Sequence, residues 1–164
     1  MEVKFLYIFY FNFIFSSKTK IMNTNKFLIG GIIGGVANFL LGWLVWGMLL
    51  MNFMMDRTTE VGKAVMRGDD NMIWWALIVA NLFFGLLLSY ILNKAAVSSA
   101  GAGASTGAVV GLLMSITIDL FNYAFMDLTT DMSVMAVDIV ASVVVTAIVG
   151  GIIGWYLGMG KKTA

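Results

Sequence analysis

Phe27–Met55 reads FLIGGIIGGVANFLLGWLVWGMLLMNFMM, 29 consecutive residues without a charge. This run decides the fold class, because a helix needs about 20 mostly apolar residues to cross a hydrocarbon core of about 30 Å. Three more runs follow: Met72–Asn93 is uncharged throughout, Ala95–Phe125 is broken only by Asp119, and Met132–Gly160 only by Asp138. None alternates polar and apolar residues as a barrel strand would. Lipid offers backbone groups no partner, so a continuous apolar run in it must be helical. The prediction is an all-α polytopic membrane protein, with four transmembrane helices at about 27–55, 72–93, 103–126 and 132–158 in an antiparallel bundle. The first run exceeds what a crossing needs, so it tilts or projects beyond the bilayer. The chain has no proline; proline kinks are excluded, and any bend must come from glycine or polar side chains.

Composition agrees. The chain has 164 residues, 60% apolar and 12% charged, with a mean hydropathy of +0.93; soluble domains are roughly 45–50% apolar and about 25% charged. Residues 22–164 make one transmembrane domain. Histidine and cysteine are absent, which removes haem ligation by those residues, zinc hydrolysis, Ser-His and Cys-His catalysis, iron–sulfur clusters and disulfides. Net charge is +1 with no basic cluster, so nucleic acid is not an expected partner. No cofactor is expected, and the chain reads as non-enzymatic.

Lysine and arginine beside the spans set the direction. Lys18, Lys20, Lys26, Lys94, Lys161 and Lys162 fall on one side, against Arg57, Lys63 and Arg67 on the other. The excess predicts both termini in the cytoplasm. The aromatic stretch Phe5–Phe15 is too short to cross. Two readings stand: translation starts at Met22 and residues 1–21 are an over-extended gene prediction, or the stretch lies in the membrane interface. The polar connector Asp56–Asn71 predicts a linker with a short surface helix near Val61–Met66. Ser98–Ser105 predicts a turn in its first half.

Glycine spacing predicts how the helices meet. Gly30 and Gly34, overlapped by Gly31 and Gly35, lie in the first span; Gly103, Gly107 and Gly111 lie in the third; Gly150, Gly154 and Gly158 lie in the fourth. Steps of four keep one helix face, so each row is a groove in which backbones can approach and gain van der Waals contact. Static packing is the expectation, with sliding or gating as the sharper alternative. A second copy of the chain, or another membrane protein, fits such a groove as well as a neighbouring helix does.

Asp119 and Asp138 are the costly residues, since an ionisable side chain inside a span costs about 2.5–3.5 kcal/mol on insertion scales. At 1.5 Å per residue, Asp119 lies about 12 Å from Asp127, Asp138 about 10 Å from Asp131, and Asn81 about 13 Å into its span. Three polar groups on three helices therefore share one level. Asn122 and Tyr123 share the face of Asp119, and Ser142 and Thr146 follow Asp138 in steps of four. Trp43, Trp46 and Asn52 of the first span fall on the same side, with Asn38 nearer the middle. Such a cluster can be interhelical glue, a wet vestibule, or a site that carries a proton or cation. Trp74, Trp75, Trp155 and Tyr156 read as interfacial anchors. Met48, Met51, Met54 and Met55 read as lipid-facing filler, preferred over copper(I) ligands.

The segments KFLIGGIIGGVANFLLGWLVWGMLL, WWALIVANLFFGLLLSYILNKA, GAVVGLLMSITIDLFNYAFMDLTT and the closing GGIIGWYLGMGKK resemble those of small four-helix bacterial membrane proteins of the type called domain of unknown function 1761. The resemblance covers Met22 to Lys162 and rests on hydropathy order and glycine placement. It implies a four-span inner-membrane protein and carries over no site residues. Two functions compete: a structural or accessory bundle, and a small proton- or cation-coupled transporter or channel built on the Asp/Asn cluster.

Overall fold

The computed structural model describes residues 23–159. The stretch 1–21, with its two readings, and Lys161 and Lys162 lie outside them. Asn23 opens the first helix by accepting a hydrogen bond from the Lys26 amide at 3.0 Å, an N-cap that satisfies one orphan donor. Helix α1 runs Thr24–Leu44 and passes into a widened turn, Val45–Leu49, closed by the Leu50 amide on the Val45 carbonyl at 2.8 Å. This i→i−5 bond is a π-turn, which interrupts a helix without proline. Helix α2 (Met51–Asp56) restarts after Leu50. The segment long and apolar enough to cross is therefore Thr24–Leu49, and the expected single run to residue 55 divides at Leu50.

Helix α3 (Glu60–Val65) is the short connector helix, capped by Thr59, whose side chain accepts from the Gly62 amide at 2.9 Å. After a turn at Asp69–Asn71, helix α4 runs Trp74–Lys94. Its end is a Schellman closure: the Val97 amide bonds Leu92 and the Ala96 amide bonds Asn93, with Ala96 at φ 56° where glycine is usual. Ser99 caps helix α5, Ala100–Phe125, so of the turn expected in the first half of Ser98–Ser105 only Ser98 and Ser99 lie outside the helix. Helix α6 runs Ser133–Gly158. Four helices are thus long and apolar enough to cross a membrane, and no strand occurs among the described residues.

These helices do not wrap around a single oily interior. Only 17 to 28% of each span's apolar window is buried, and side chains such as Phe83, Leu113 and Phe125 are more than 60% exposed. A water-soluble monomer does not carry apolar surface on that scale. The buried apolar cluster is small, formed by Leu88 and Leu92 of α4 with Val145, Val149, Ile153 and Leu157 of α6.

Close backbone contact does the rest. Residue numbers rise along α5 as its partners fall along α6: a Cβ on Gly107 would meet Thr146 and, at 3.2 Å, Gly150 Cα; one on Gly111 would meet Thr146 Cβ at 2.8 Å and the Ser142 carbonyl at 2.9 Å. Gly103 lies against Gly150 and Gly154, and Gly158 against Ser98. The overlapping glycine pairs of α1 serve different neighbours. Gly31 and Gly35 take α4 through Leu86, Leu82 and Gly85, whereas Gly30 and Gly34 take Ser89 and Ile153. The eight glycines Gly30, Gly34, Gly103, Gly107, Gly111, Gly150, Gly154 and Gly158 all meet other parts of the same chain.

Lys26 ties the start of α1 to the end of α6, donating from Nζ to the carbonyls of Leu157 (3.2 Å) and Met159 (2.6 Å). Ser89 of α4 donates to the Phe27 carbonyl at the same end. We call this the Lys26 end of the bundle and the opposite one the Arg57 end.

Candidate functional site

One face of α5 and one of α6 can be followed in steps of four. On α5 the row is Ser99, Gly103, Gly107, Gly111, Ser115, Asp119, Tyr123; on α6 it is Gly158, Gly154, Gly150, Thr146, Ser142, Asp138. Both seams pass from glycine through a hydroxyl to a carboxylate as they approach the Arg57 end. Gly103, Gly107, Gly111 and Ser115 are buried, as are Thr146, Gly150 and Gly154, while both aspartates are half-buried. Where backbones can no longer touch, a hollow of about 390 Å³ opens. Asp119, Asn122, Tyr123 and Asp138 line it, joined by Trp46 from the π-turn.

Asp138 is well held. Trp46 Nε1 donates to its Oδ1 at 2.6 Å, and Ser142 Oγ donates to its Oδ2 at 3.4 Å. Asp119 is not: its Oδ2 is buried without a hydrogen-bond partner among the described residues. A buried acceptor left unmatched is uncommon and calls for an explanation.

Asn81 goes elsewhere. It accepts from Asn38 Nδ2 at 2.7 Å and donates to the Leu77 carbonyl at 2.8 Å. This amide pair bridges α1 and α4 and lines a second hollow, of about 750 Å³, with Trp43, Gly47 and Trp74. Of the expected cluster, Asp119, Asp138 and Asn122 share one hollow and Ser142 supports it, whereas Asn81 serves the other helix pair. Trp46 and Met51 line both hollows. Thr146 packs against Gly107 and Gly111.

The methionines meet expectation in part: Met51 and Met55 are 43% and 42% exposed, yet they also line a hollow. Met51, Met54 and Met55 line the carboxylate hollow, because α2 restarts beyond the break and lays its 51–54–55 face there. Met48, before the break, is 57% exposed as lipid-facing filler would be.

Two connectors close the Arg57 end. The Thr59 amide bonds the Leu128 carbonyl at 3.0 Å, the Thr130 amide bonds the Arg57 carbonyl at 2.8 Å, and Thr59 Oγ1 donates to the Asp127 carbonyl at 2.6 Å. Thr58 and Thr129 form an isolated antiparallel bridge, and both line the hollow. Arg57 Nε lies 3.6 Å from Asp131 Oδ2, and its guanidinium stacks 4.0 Å from the Phe53 ring centre. Hydrogen bonds from Ser133, with a smaller contribution from Arg57, hold the Asp131 carboxyl below its usual range.

Sequence reasoning missed three contributors. Gly85 belongs to no glycine row, yet a Cβ there would strike the backbone of Gly31 and Gly35; the signal was Gly85-x-x-x-Ser89. Trp46 was placed at the right level without its role as a donor. The tie between connectors has no periodic signature at all. Among the described residues no group of three or more His, Cys, Asp or Glu could hold a metal. No family model, curated protein or solved structure matches this chain.

Proposed function

We propose that this chain is a non-enzymatic integral membrane protein of structural or accessory role, an antiparallel four-helix bundle lying in the bacterial inner membrane with both ends cytoplasmic. The glycine-zipper packing carries the proposal. Each long glycine row is occupied by a neighbour from its own chain, which supports a static scaffold and leaves a second copy or another membrane protein to dock on the remaining lipid-facing surface. The bilayer is the partner that the exposed apolar side chains require.

A second reading, a small proton- or cation-coupled transporter or channel, is favoured by one observation: the unmatched Asp119 Oδ2 in a hollow that Asp138 also lines, at the Arg57 end of the bundle. Reconstituted liposomes separate the two. Under the accessory reading, Asp119→Asn and Asp138→Asn change nothing beyond stability and leave flux as it is. Loss of a proton- or cation-coupled flux in folded variants would replace it with the transport reading.

A further inference from the structure

The hollow at the Arg57 end carries more than two acids. Six of the eleven methionines among residues 23–159 line it: Met51, Met54, Met55, Met66, Met126 and Met135. Fifteen of the 137 described residues form its walls, so methionines scattered at random would supply about one. They converge from α2, from the ends of α3 and α5, and from the start of α6. Thioether chains are unbranched and polarizable, and surfaces built from them adapt to ligands of varied shape.

The charge of the walls has one sign. Asp119 and Asp138 face the hollow and no Lys or Arg lines it; Arg57 is engaged by Phe53 and Asp131. Trp46 and Tyr123 add aromatic surface of the kind that attracts cations. A volume of about 390 Å³ falls in the range of small-molecule sites, about 300–1,000 Å³. A bare metal ion would fill little of it.

We infer that this hollow binds a small organic cation, a quaternary ammonium being the type ligand, with its charge against Asp119 and Asp138 and its apolar groups against the methionines, Trp46 and Tyr123. The inference shares the carboxylate pair with the second reading above but requires equilibrium binding only. Flux without cation binding would keep that reading and remove this one; cation binding without flux does the reverse.

The test is equilibrium dialysis of the full chain in detergent, against protein-free micelles, with benzyltrimethylammonium as probe and neopentylbenzene as its uncharged isostere. The cation is expected to bind saturably at one site per chain, and the isostere is not expected to displace it; this comparison needs no variant. Asp119→Asn is expected to weaken binding about tenfold, and Asp119→Glu to restore most of it. Equal competition by the isostere would overturn the inference. So would unchanged affinity in both Asp119→Asn and Asp138→Asn, or uptake of silver(I) by a protein that ignores the ammonium, which would make the hollow a soft-metal site.

Discussion

The two ends of the α5–α6 seam are built on the same helix faces and behave as opposites. Toward the Lys26 end, Gly103 and Gly107 meet Gly150 and Gly154 with backbone against backbone. Toward the Arg57 end the same rows place Asp119 and Asp138 on a hollow, one carboxylate held by Trp46 and Ser142, the other with an unmatched oxygen. In hydrocarbon there is no hydrophobic drive between helices, so contact must come from surfaces small enough to touch. A row that begins in glycine and ends in aspartate therefore packs at one end and opens at the other.

Substitution in the packed half is expected to do the most damage. Gly107→Val would drive its side chain into the Thr146 carbonyl and Gly150, and because the obstacle is backbone, α5 and α6 must part; about 3 kcal/mol is expected to be lost. Gly101, with nothing within 4 Å, is the control: Gly101→Ala is expected to change stability by less than about 0.5 kcal/mol. Unfolding in mixed micelles checks both, and equal losses would remove the contrast between contact and open surface.

Next comes the difference between the two acids. Trp46→Phe removes the 2.6 Å donor to Asp138 and is expected to cost about 1 kcal/mol, in the range for interhelical hydrogen bonds. Asp119→Asn breaks no hydrogen bond among the described residues, so its cost is expected below about 0.5 kcal/mol. A larger loss from Asp119→Asn than from Trp46→Phe, again by unfolding in micelles, would reverse the assignment of the two carboxylates.

The connector tie is expected to respond to acid. Asp131 titrates below its ordinary value of 3.8 because Ser133 and Arg57 favour its ionised form, so the tie is complete above that value and is lost as pH falls through the lowered one. Hydrogen exchange at the Ser133 amide should accelerate below that pH while the Gly103–Gly111 amides stay protected. The smallest effect belongs to Ala96. Its φ of 56° costs a non-glycine residue about 1–2 kcal/mol; Ala96→Gly relieves this at some cost in chain entropy, for a net gain of less than about 1 kcal/mol in the same unfolding assay.

Depth can be counted from the sequence and azimuth cannot. Counting 1.5 Å per residue put Asp119, Asp138 and Asn81 at one level, because rise along a helix axis depends on residue number alone. Which neighbour each side chain faces depends on helix pairing, and α1 pairs with α4 through Gly31, Gly35 and Gly85, which takes Asn81 to Asn38. The glycine rows announced contact without naming partners, since a groove accepts any smooth helix. The π-turn at Val45–Leu49 was hidden because hydropathy is continuous across it. The Thr58–Thr129 bridge was hidden because it joins two polar connectors 71 residues apart, and neither has a period to read.

Single-cysteine labelling in intact membranes tests the account most directly, since the chain has no cysteine of its own. Ser115→Cys lies in the closed seam, Asn122→Cys on the hollow, and Leu113→Cys at a position whose native side chain is 61% exposed on the outside of the bundle. A water-soluble maleimide is predicted to modify Asn122→Cys and to leave Ser115→Cys and Leu113→Cys untouched. Rapid modification of Leu113→Cys would mean that water rather than hydrocarbon surrounds the helices, and equal modification of Ser115→Cys and Asn122→Cys would mean that the seam is open along its whole length.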